Sequence, residues 1–127
     1  MAGLLIDTDI PIDYLRGEEK AAAFLENQDG LLWVSSISVA ELYSGVRGVL
    51  ETAALEELLQ EFQVIPVDRV IAKRGGLFCR DFRGSHGVGL ADAMIAATAE
   101  VHQFNFATLN RKHYPMLQRV AVPYRKV

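Results

Sequence analysis

The chain has 127 residues, of which 50% are hydrophobic and 23% are charged, the balance of an ordinary globular protein. This length suits one domain, residues 1–127, and the single cysteine, Cys79, excludes an internal disulfide. No apolar run approaches the roughly 20 residues that a membrane span needs, and the N-terminus lacks the basic start of a signal peptide. We therefore expect a cytoplasmic protein without a membrane segment.

The net charge of −3 conceals an uneven distribution. Residues 1–68 hold 3 basic and 13 acidic side chains, whereas residues 69–127 hold 10 basic and 3 acidic ones. Much of the acidic half is explained as the solvated face of one helix. The basic half has the charge to follow a phosphate backbone, so a polyanionic partner is one interpretation and plain surface solvation is the other.

Short apolar runs alternate with longer helical patterns, which predicts an α/β fold with a mainly parallel sheet. In the first half, the spacing from Ser38 to Glu41 is typical of a capping box, so a helix should begin near Val39. Leucines and a phenylalanine at i, i+3, i+4 and i+7 predict an amphipathic helix after it. The remaining elements predicted here are strands over 4–6 and 31–35 and helices over 10–15, 18–27 and 55–62.

In the second half, Pro66 favours the end or edge of a sheet for the strand that contains it. Gly75 and Gly76 weaken the middle of the helix that follows. The glycines between 84 and 89 indicate a flexible loop before an alanine-rich helix. The predicted elements are strands over 64–67, 104–108 and 120–122 and helices over 70–82 and 90–101.

Three acidic residues lie inside or directly against apolar segments, namely Asp7, Glu41 and Asp92. Desolvating a carboxylate is unfavourable unless it is paired, hydrogen-bonded or bound to a metal. In parallel α/β folds, functional groups gather beyond the carboxyl ends of the strands. Asp7 follows the first strand, Glu41 and Asp92 fall in first helical turns, and Thr108 and Asn110 follow a later strand. We expect all five at one edge of the sheet.

Carboxylates held in this way suit Mg²⁺ or Mn²⁺, which prefer hard oxygen ligands. Two such ions would activate a water and stabilise the leaving oxygen during phosphodiester cleavage. The histidines show none of the spacings of a zinc site.

Each acid also has a simpler interpretation. Glu41 would only close the capping box, and Asp92 would only complement a helix dipole. Asp9 is interpreted chiefly as the cap of a helix that begins at Pro11, with a lesser role in lining the site. Asp13 is assigned to the solvated face of that helix. Asp7, after three apolar residues, has no obvious cap to make. The coincidence of these acids favours a shared site.

Four segments of the sequence resemble the PIN-domain ribonucleases, and in particular the VapC toxins of bacterial toxin–antitoxin pairs. They follow the family's order and intervals and span the chain from end to end. The matching residues are Leu5-Ile6-Asp7-Thr8-Asp9-Ile10, Ser38-Val39-Ala40-Glu41-Leu42-Tyr43-Ser44-Gly45, Leu90-Ala91-Asp92-Ala93-Met94-Ile95-Ala96-Ala97-Thr98-Ala99 and Ala107-Thr108-Leu109-Asn110-Arg111-Lys112-His113-Tyr114.

The resemblance implies a three-layer α/β/α sandwich and Mg²⁺- or Mn²⁺-dependent endonuclease action on RNA. It assigns Asp7, Glu41 and Asp92 to the metal and the attacking water. It also implies a homodimer and a cognate antitoxin whose tail occupies the active-site groove. Many members carry a fourth acid in the last motif, where this chain has His113, so Thr108 and Asn110 are what remains at that corner.

Three other functions are open on the sequence. Asp7-Thr8-Asp9 after a strand is also the start of a haloacid-dehalogenase-type phosphatase, but Ile10-Pro11 replaces the expected Gly-Thr or Gly-Val and Glu41 gains no role. A receiver domain matches the length and leaves Asp92 unexplained. A PIN-like domain that binds RNA or protein without cleavage is compatible with the missing fourth acid.

Overall fold

The computed structural model describes residues 3–126. In chain order, the strands are β1 (Leu4–Ile6), β2 (Leu32–Ser35), β3 (Phe62–Ile65), β4 (Asn105–Ala107) and β5 (Val120–Ala121). The helices are α1 (Asp9–Leu15), α2 (Glu19–Glu26), α3 (Ser36–Gly45), α4 (Gly48–Leu59), α5 (Arg69–His86) and α6 (Leu90–His102), and a 3₁₀ turn covers Arg111–His113.

The strands form one sheet in the order β3-β2-β1-β4-β5, and every pair is parallel. This confirms the parallel α/β prediction. The strand predicted over 64–67 is β3, which lies at an edge of the sheet and ends at Ile65, directly before Pro66. Ile6 pairs with Ala107 in the register between β1 and β4. The next residues along both strands, Asp7 and Thr108, are therefore neighbours at the carboxyl edge of the sheet.

Alternate strand residues point to opposite faces of the sheet, and each face is covered by helices. Leu5 and Phe106 pack with α5 and α6 on one face. Ile6 and Ala107 pack with α1, α2 and α4 on the other. The two hydrophobic layers make the three-layer sandwich that the family resemblance implied.

Two boundary predictions are wrong, each for a local reason. The helix predicted over 55–62 ends at Leu59, and Phe62 instead begins β3, so the apolar i+7 position belongs to a strand. The loop predicted to begin at Gly84 is still helical there, because α5 continues to His86 and ends on Gly87, which adopts the left-handed conformation at φ 64°.

Gly75 permits close packing rather than only weakening its helix. A Cβ at this position would lie 2.6 Å from Met94 Sδ and 3.1 Å from Met94 Cα. The absence of a side chain thus lets α5 approach α6 closely. Among the helices of residues 3–126, none has both the length and the apolar character to cross a membrane.

Candidate active site

Asp7 is held at the carboxyl edge of the sheet by its two strand neighbours. Its backbone N–H donates to the Ala107 carbonyl over 2.9 Å. The Thr108 hydroxyl donates to Asp7 Oδ2 over 2.7 Å, and the Thr8 N–H donates to Oδ1 over 2.8 Å. Only 7% of Asp7 is exposed. The parallel register between β1 and β4 thus positions a buried carboxylate with fixed orientation.

Glu41 is linked to this edge through Thr8. The Thr8 hydroxyl lies 2.6 Å from Glu41 Oε1 and 2.8 Å from the hydroxyl of buried Ser38. The capping-box prediction is therefore wrong, because α3 begins at Ser36 and its cap is Ser35, whose hydroxyl accepts from the Ile37 N–H. Glu41 falls in the second helical turn rather than the first.

Asp92 lies in the first turn of α6, as predicted. Its Oδ2 is 3.0 Å from His113 Nδ1, and its Oδ1 is 3.3 Å from the Tyr114 hydroxyl. The same hydroxyl lies 2.9 Å from Asp7 Oδ2, so Tyr114 stands between two acids. Asn110 Nδ2 lies 3.2 Å from His113 Nδ1.

These residues surround one cavity of about 410 Å³. Four of its lining side chains are carboxylic acids, and within the described chain, residues 3–126, the lining includes no lysine or arginine. Thr108 lies behind it, fully buried against Asp7. The lining residues are Asp7, Thr8, Asp9, Ile12, Glu41, Ser44, Asp92, Asn110, His113 and Tyr114.

The electrostatics of this cavity disfavour negative charge. Burial raises the pKa of Asp7 from 3.8 to about 7, and the charge of Asp9 adds to the increase, against the hydrogen bonds from Thr108, Tyr114 and Thr8. Burial also raises the pKa of Asp9. Burial, with the charges of Asp7 and Asp92, raises the pKa of Tyr114 so far that its hydroxyl remains a proton donor.

Asp9 does not cap the helix as predicted. It is the first residue of α1, and its Oδ2 accepts from the Leu109 N–H over 2.9 Å. Its Oδ1 is buried and has no hydrogen-bond partner in the described part of the chain. A buried carboxylate oxygen without a partner is unfavourable unless a cation or a ligand satisfies it.

Asp13, assigned to a solvated helix face by the sequence, is in fact buried, with 4% exposed. The Tyr124 hydroxyl donates to its Oδ2 over 2.9 Å, and Lys126 Nζ lies 3.1 Å from its Oδ1. The two partners come from the C-terminal segment, more than 100 residues away. No local pattern indicated this pairing.

The donor set fits a hard divalent cation. Its acids and the amide of Asn110 offer oxygen atoms, and the buried Asp9 Oδ1 has no partner among the described residues. Burial raises the pKa of Asp7, so a nearby cation would stabilise its charged form. Within residues 3–126, no three His, Cys, Asp or Glu side chains are yet close enough to share one ion. For these acids to bind one ion together, their side chains have to move. At present the Thr8 hydroxyl contacts Glu41, and the Tyr114 hydroxyl contacts Asp7 and Asp92.

Five residues predicted from the sequence lie at this cavity, namely Asp7, Asp9, Glu41, Asp92 and Asn110, and two others, Thr8 and Tyr114, were not predicted. Thr8 lies between Asp7 and Asp9 in the first motif. Tyr114 ends the last motif, and its position there is equally typical of a residue that only packs in the core. The Tyr114 ring packs on Phe106 with 4.6 Å between ring centroids. The only signal in the sequence was the position of both residues inside matching motifs.

Comparison with known proteins agrees with the fold and the motif order. The sequence profile of the PIN domain matches residues 4–121. The chain belongs to the PIN domain family. Ribonuclease VapC10 of Mycobacterium tuberculosis is 41% identical over 124 residues, covering 95% of this chain and 92% of that protein. Ribonuclease VapC19 of the same organism is 40% identical, covering 94% and 98%.

A solved structure extends the likeness to three dimensions. A chain of a toxin-antitoxin complex from Klebsiella pneumoniae superposes with a TM-score of 0.83 and 28% identity, covering 98% of this PIN domain and 100% of that chain. The family resemblance seen in the four motifs is therefore confirmed by the sequence of the whole domain and by its fold.

Proposed function

We propose that this PIN domain is a divalent-metal-dependent endoribonuclease and the toxin of a toxin–antitoxin pair. The single observation that carries the proposal is the cavity in which four acids meet without lysine or arginine among its described lining. Relatives named ribonuclease, at 40% and 41% identity over almost the whole chain, support RNA as the substrate class.

Asp7, Asp92 and Glu41 would hold Mg²⁺ or Mn²⁺. A bound divalent ion supplies activation of water and neutralisation of charge at the phosphate. The chain's own residues fix the acids: Thr108 and Tyr114 orient Asp7, and Thr8 orients Glu41.

Two further polar residues, Asn110 and His113, line the cavity. Asn110 is exposed at the cavity, and its amide is able to donate to a phosphate oxygen. His113 is 42% exposed by side chain and contacts Asp92. We assign Asn110 and His113 to the neighbourhood of the scissile phosphate, where the family's fourth acid would otherwise stand.

The test is cleavage of a mixed RNA substrate with Mg²⁺, with Mn²⁺ and with EDTA. We expect cleavage with either metal, none in EDTA, and a loss of at least about a hundredfold for Asp92→Asn. Asp29→Asn, which neutralises an exposed aspartate outside the cavity, is the matched control. Activity that persists in EDTA or in Asp92→Asn contradicts the proposal. Metal-independent RNA binding with no cleavage by any preparation identifies the non-catalytic alternative instead.

The partner we propose is a cognate antitoxin. The toxin-antitoxin complex from Klebsiella pneumoniae supports this assignment. A second cavity of about 270 Å³ shares Ile12 and Glu41 with the acidic one. Its other lining residues combine apolar side chains with two arginines and a glutamate, and they are Leu15, Arg16, Leu42, Gly45, Val46, Arg47, Glu51 and Ala54. A peptide bound there would continue into the acidic cavity.

Co-expression tests the partner. We expect growth arrest when the protein is induced alone and normal growth when the product of an adjacent gene is produced with it. Toxicity that no neighbouring product relieves contradicts the toxin assignment and leaves the nuclease assignment to the cleavage assay. The homodimer that the family implies is also a proposal, which sedimentation of the purified chain tests.

A further inference from the structure

Helix α5 carries a face of unusual charge that the active site does not use. Its 18 residues hold five basic side chains and one acidic one. Arg69, Lys73, Arg80 and Arg83 are all exposed and fall at i, i+4, i+11 and i+14, so they share one side of the helix. We name these four residues, with Gly76 between them and Gly84 directly after Arg83, the basic face.

The buried side of α5 is separate from this face. Ile71, Phe78 and Cys79 pack into the core, and Gly75 lies against Met94 of α6. The fifth basic residue, Arg74, is engaged elsewhere: it pairs with Glu100 of α6 and lies over the Phe78 ring at 4.3 Å. Arg74 thus contributes to the packing of α5 against α6, and it is not part of the basic face.

Most of the charge on the basic face is not neutralised within the protein. Arg80 pairs with its neighbour Asp81 at 2.9 Å. For Arg69, Lys73 and Arg83, no carboxylate of residues 3–126 lies within ion-pair distance. Like charges along one side of a helix repel each other, so an anionic partner would stabilise this arrangement.

The basic face also has space for a phosphate backbone to approach it. A Cβ added at Gly76 or Gly84 would meet no atom within 4 Å. Arg69 and Arg83 are 14 residues apart, which is about 21 Å along the helix. A ridge of cations of that length, with gaps where side chains are missing, suits a chain of phosphates better than a single anion.

The basic face belongs to the helix that packs against α6, the helix that carries Asp92. Gly75, beside Gly76, contacts Met94, which is two residues from Asp92 on the same helix. The basic face is therefore about one helix diameter, roughly 10 Å, from the helix that carries a proposed metal ligand. The face is on the exposed side of α5, away from the Met94 contact, so an RNA strand bound in the cavity would extend past α5 to contact it.

We infer that the basic face of α5 binds the phosphate backbone of the RNA on one side of the cleavage point. This inference rests on the proposed function and adds a contact surface to it. Contacts to phosphates depend on charge and not on base sequence. Loss of the basic face should therefore weaken the binding of every RNA and raise KM, while kcat changes little.

A binding measurement tests the inference without cleavage. The probe is a short fluorescein-labelled oligouridylate, titrated in EDTA and followed by fluorescence anisotropy over a range of KCl concentrations. Lys73→Gln/Arg83→Gln removes two charges from the face, and Arg119→Gln/Arg125→Gln removes two from exposed positions elsewhere. Both double variants carry the same net charge.

At about 0.1 M salt, release of counterions is worth about fivefold in affinity per phosphate contact, and each contact contributes about 0.7 to the salt slope. We therefore expect Kd to rise about 25-fold for Lys73→Gln/Arg83→Gln, with a salt slope shallower by about 1.4. The control pair should change little. Equal weakening by both pairs, or by neither, overturns the inference.

A second variant adds charge at a glycine instead of removing it. Gly76→Glu places a carboxylate in the middle of the basic face, and Gly76→Ala supplies the same gain in helix propensity without charge. Space for both is open. We expect Gly76→Glu to weaken RNA binding and Gly76→Ala to leave it intact, with both folded as judged by circular dichroism. Equal binding by the two variants contradicts the inference.

The outcomes separate this inference from the proposed function. If the wild type cleaves RNA and the face variants bind like the wild type, the surface is wrong and the nuclease assignment stands. If the wild type neither binds nor cleaves RNA, both are wrong. If Lys73→Gln/Arg83→Gln changes the sedimentation coefficient and not RNA binding, the face contacts the acidic side of a second copy, and the RNA assignment is overturned.

Discussion

Asp7 and Asp13 are both buried aspartates, six residues apart, and their surroundings differ most in the charge beside them. Each accepts a hydrogen bond from a tyrosine hydroxyl over 2.9 Å, Asp7 from Tyr114 and Asp13 from Tyr124. Asp13 also has a cation, since Lys126 Nζ lies 3.1 Å from it. Asp7 has no such cation among residues 3–126, and burial, together with the charge of Asp9, raises its pKa to about 7.

Asp13 has the surroundings of a structural acid, and Asp7 has those that we propose for a metal ligand. The charge of Asp13 is balanced within the chain, and the pair ties the C-terminal segment to α1. The charge of Asp7 is not balanced by any cation of residues 3–126, and the proposed metal ion would supply that balance. A site that would be a defect in a structural core is what a metal-dependent enzyme needs.

The largest difference is expected between Asp7→Asn and Asp13→Asn. Asp7→Asn should reduce RNA cleavage by at least about a hundredfold, because a proposed metal ligand is lost, and should raise the melting temperature of the metal-free protein at pH 8. Asp13→Asn should retain cleavage and lower the melting temperature by about 4 °C, for a loss of roughly 1 kcal/mol. Cleavage assays and thermal unfolding in EDTA measure both. Equal activity loss in the two variants contradicts the distinction.

A smaller difference is expected between Tyr114→Phe and Tyr124→Phe. Each substitution removes one hydroxyl that donates to a buried aspartate. We assign Tyr114 as a positioning residue, since its hydroxyl lies between Asp7 and Asp92 and holds them in register. Tyr114→Phe should weaken Mn²⁺ binding and lower kcat about tenfold with little effect on KM, and Tyr124→Phe should change neither.

Mn²⁺ affinity from electron paramagnetic resonance separates positioning from simple destabilisation. If both phenylalanine variants lose the same stability and bind Mn²⁺ alike, the hydroxyl of Tyr114 has only a structural role.

The pH dependence of stability tests the charge of Asp7 without an activity assay. The folded state raises the pKa of Asp7 from 3.8 to about 7, so between these values the folded protein binds more protons than the unfolded chain. The stability contributed by protonated Asp7 is present below pH 3.8 and is lost as the pH rises to about 7. Urea denaturation of wild type in EDTA should therefore show a downward trend across this window that Asp7→Asn lacks. Parallel profiles for the two proteins contradict the uncompensated charge at Asp7.

The sequence predicted the sheet and the gathering of acids because both follow from local patterns. A strand-end acid such as Asp7 and a first-turn acid such as Asp92 are visible as single interruptions of apolar runs. Parallel topology then brings strand ends together whatever the loops do.

Hydrogen bonds between residues distant in the chain could not be predicted from the sequence. The spacing from Ser38 to Glu41 satisfied a local rule, but both side chains contact Thr8, which comes from another part of the chain. Asp13 similarly looks like a surface acid until the C-terminal segment covers it. A local pattern cannot show which distant side chain becomes the hydrogen-bond partner of a given polar group.

Thermal unfolding with and without Mn²⁺ tests most directly the claim that Asp7 belongs to a site built for an external cation. Near pH 7.5, Mn²⁺ at about 100 times its Kd should add roughly 2.7 kcal/mol to the stability of the wild type and of Asp13→Asn. Asp7→Asn should gain almost nothing. If Mn²⁺ stabilises Asp7→Asn as much as the wild type, or stabilises neither, the buried acids of this cavity do not form a metal site.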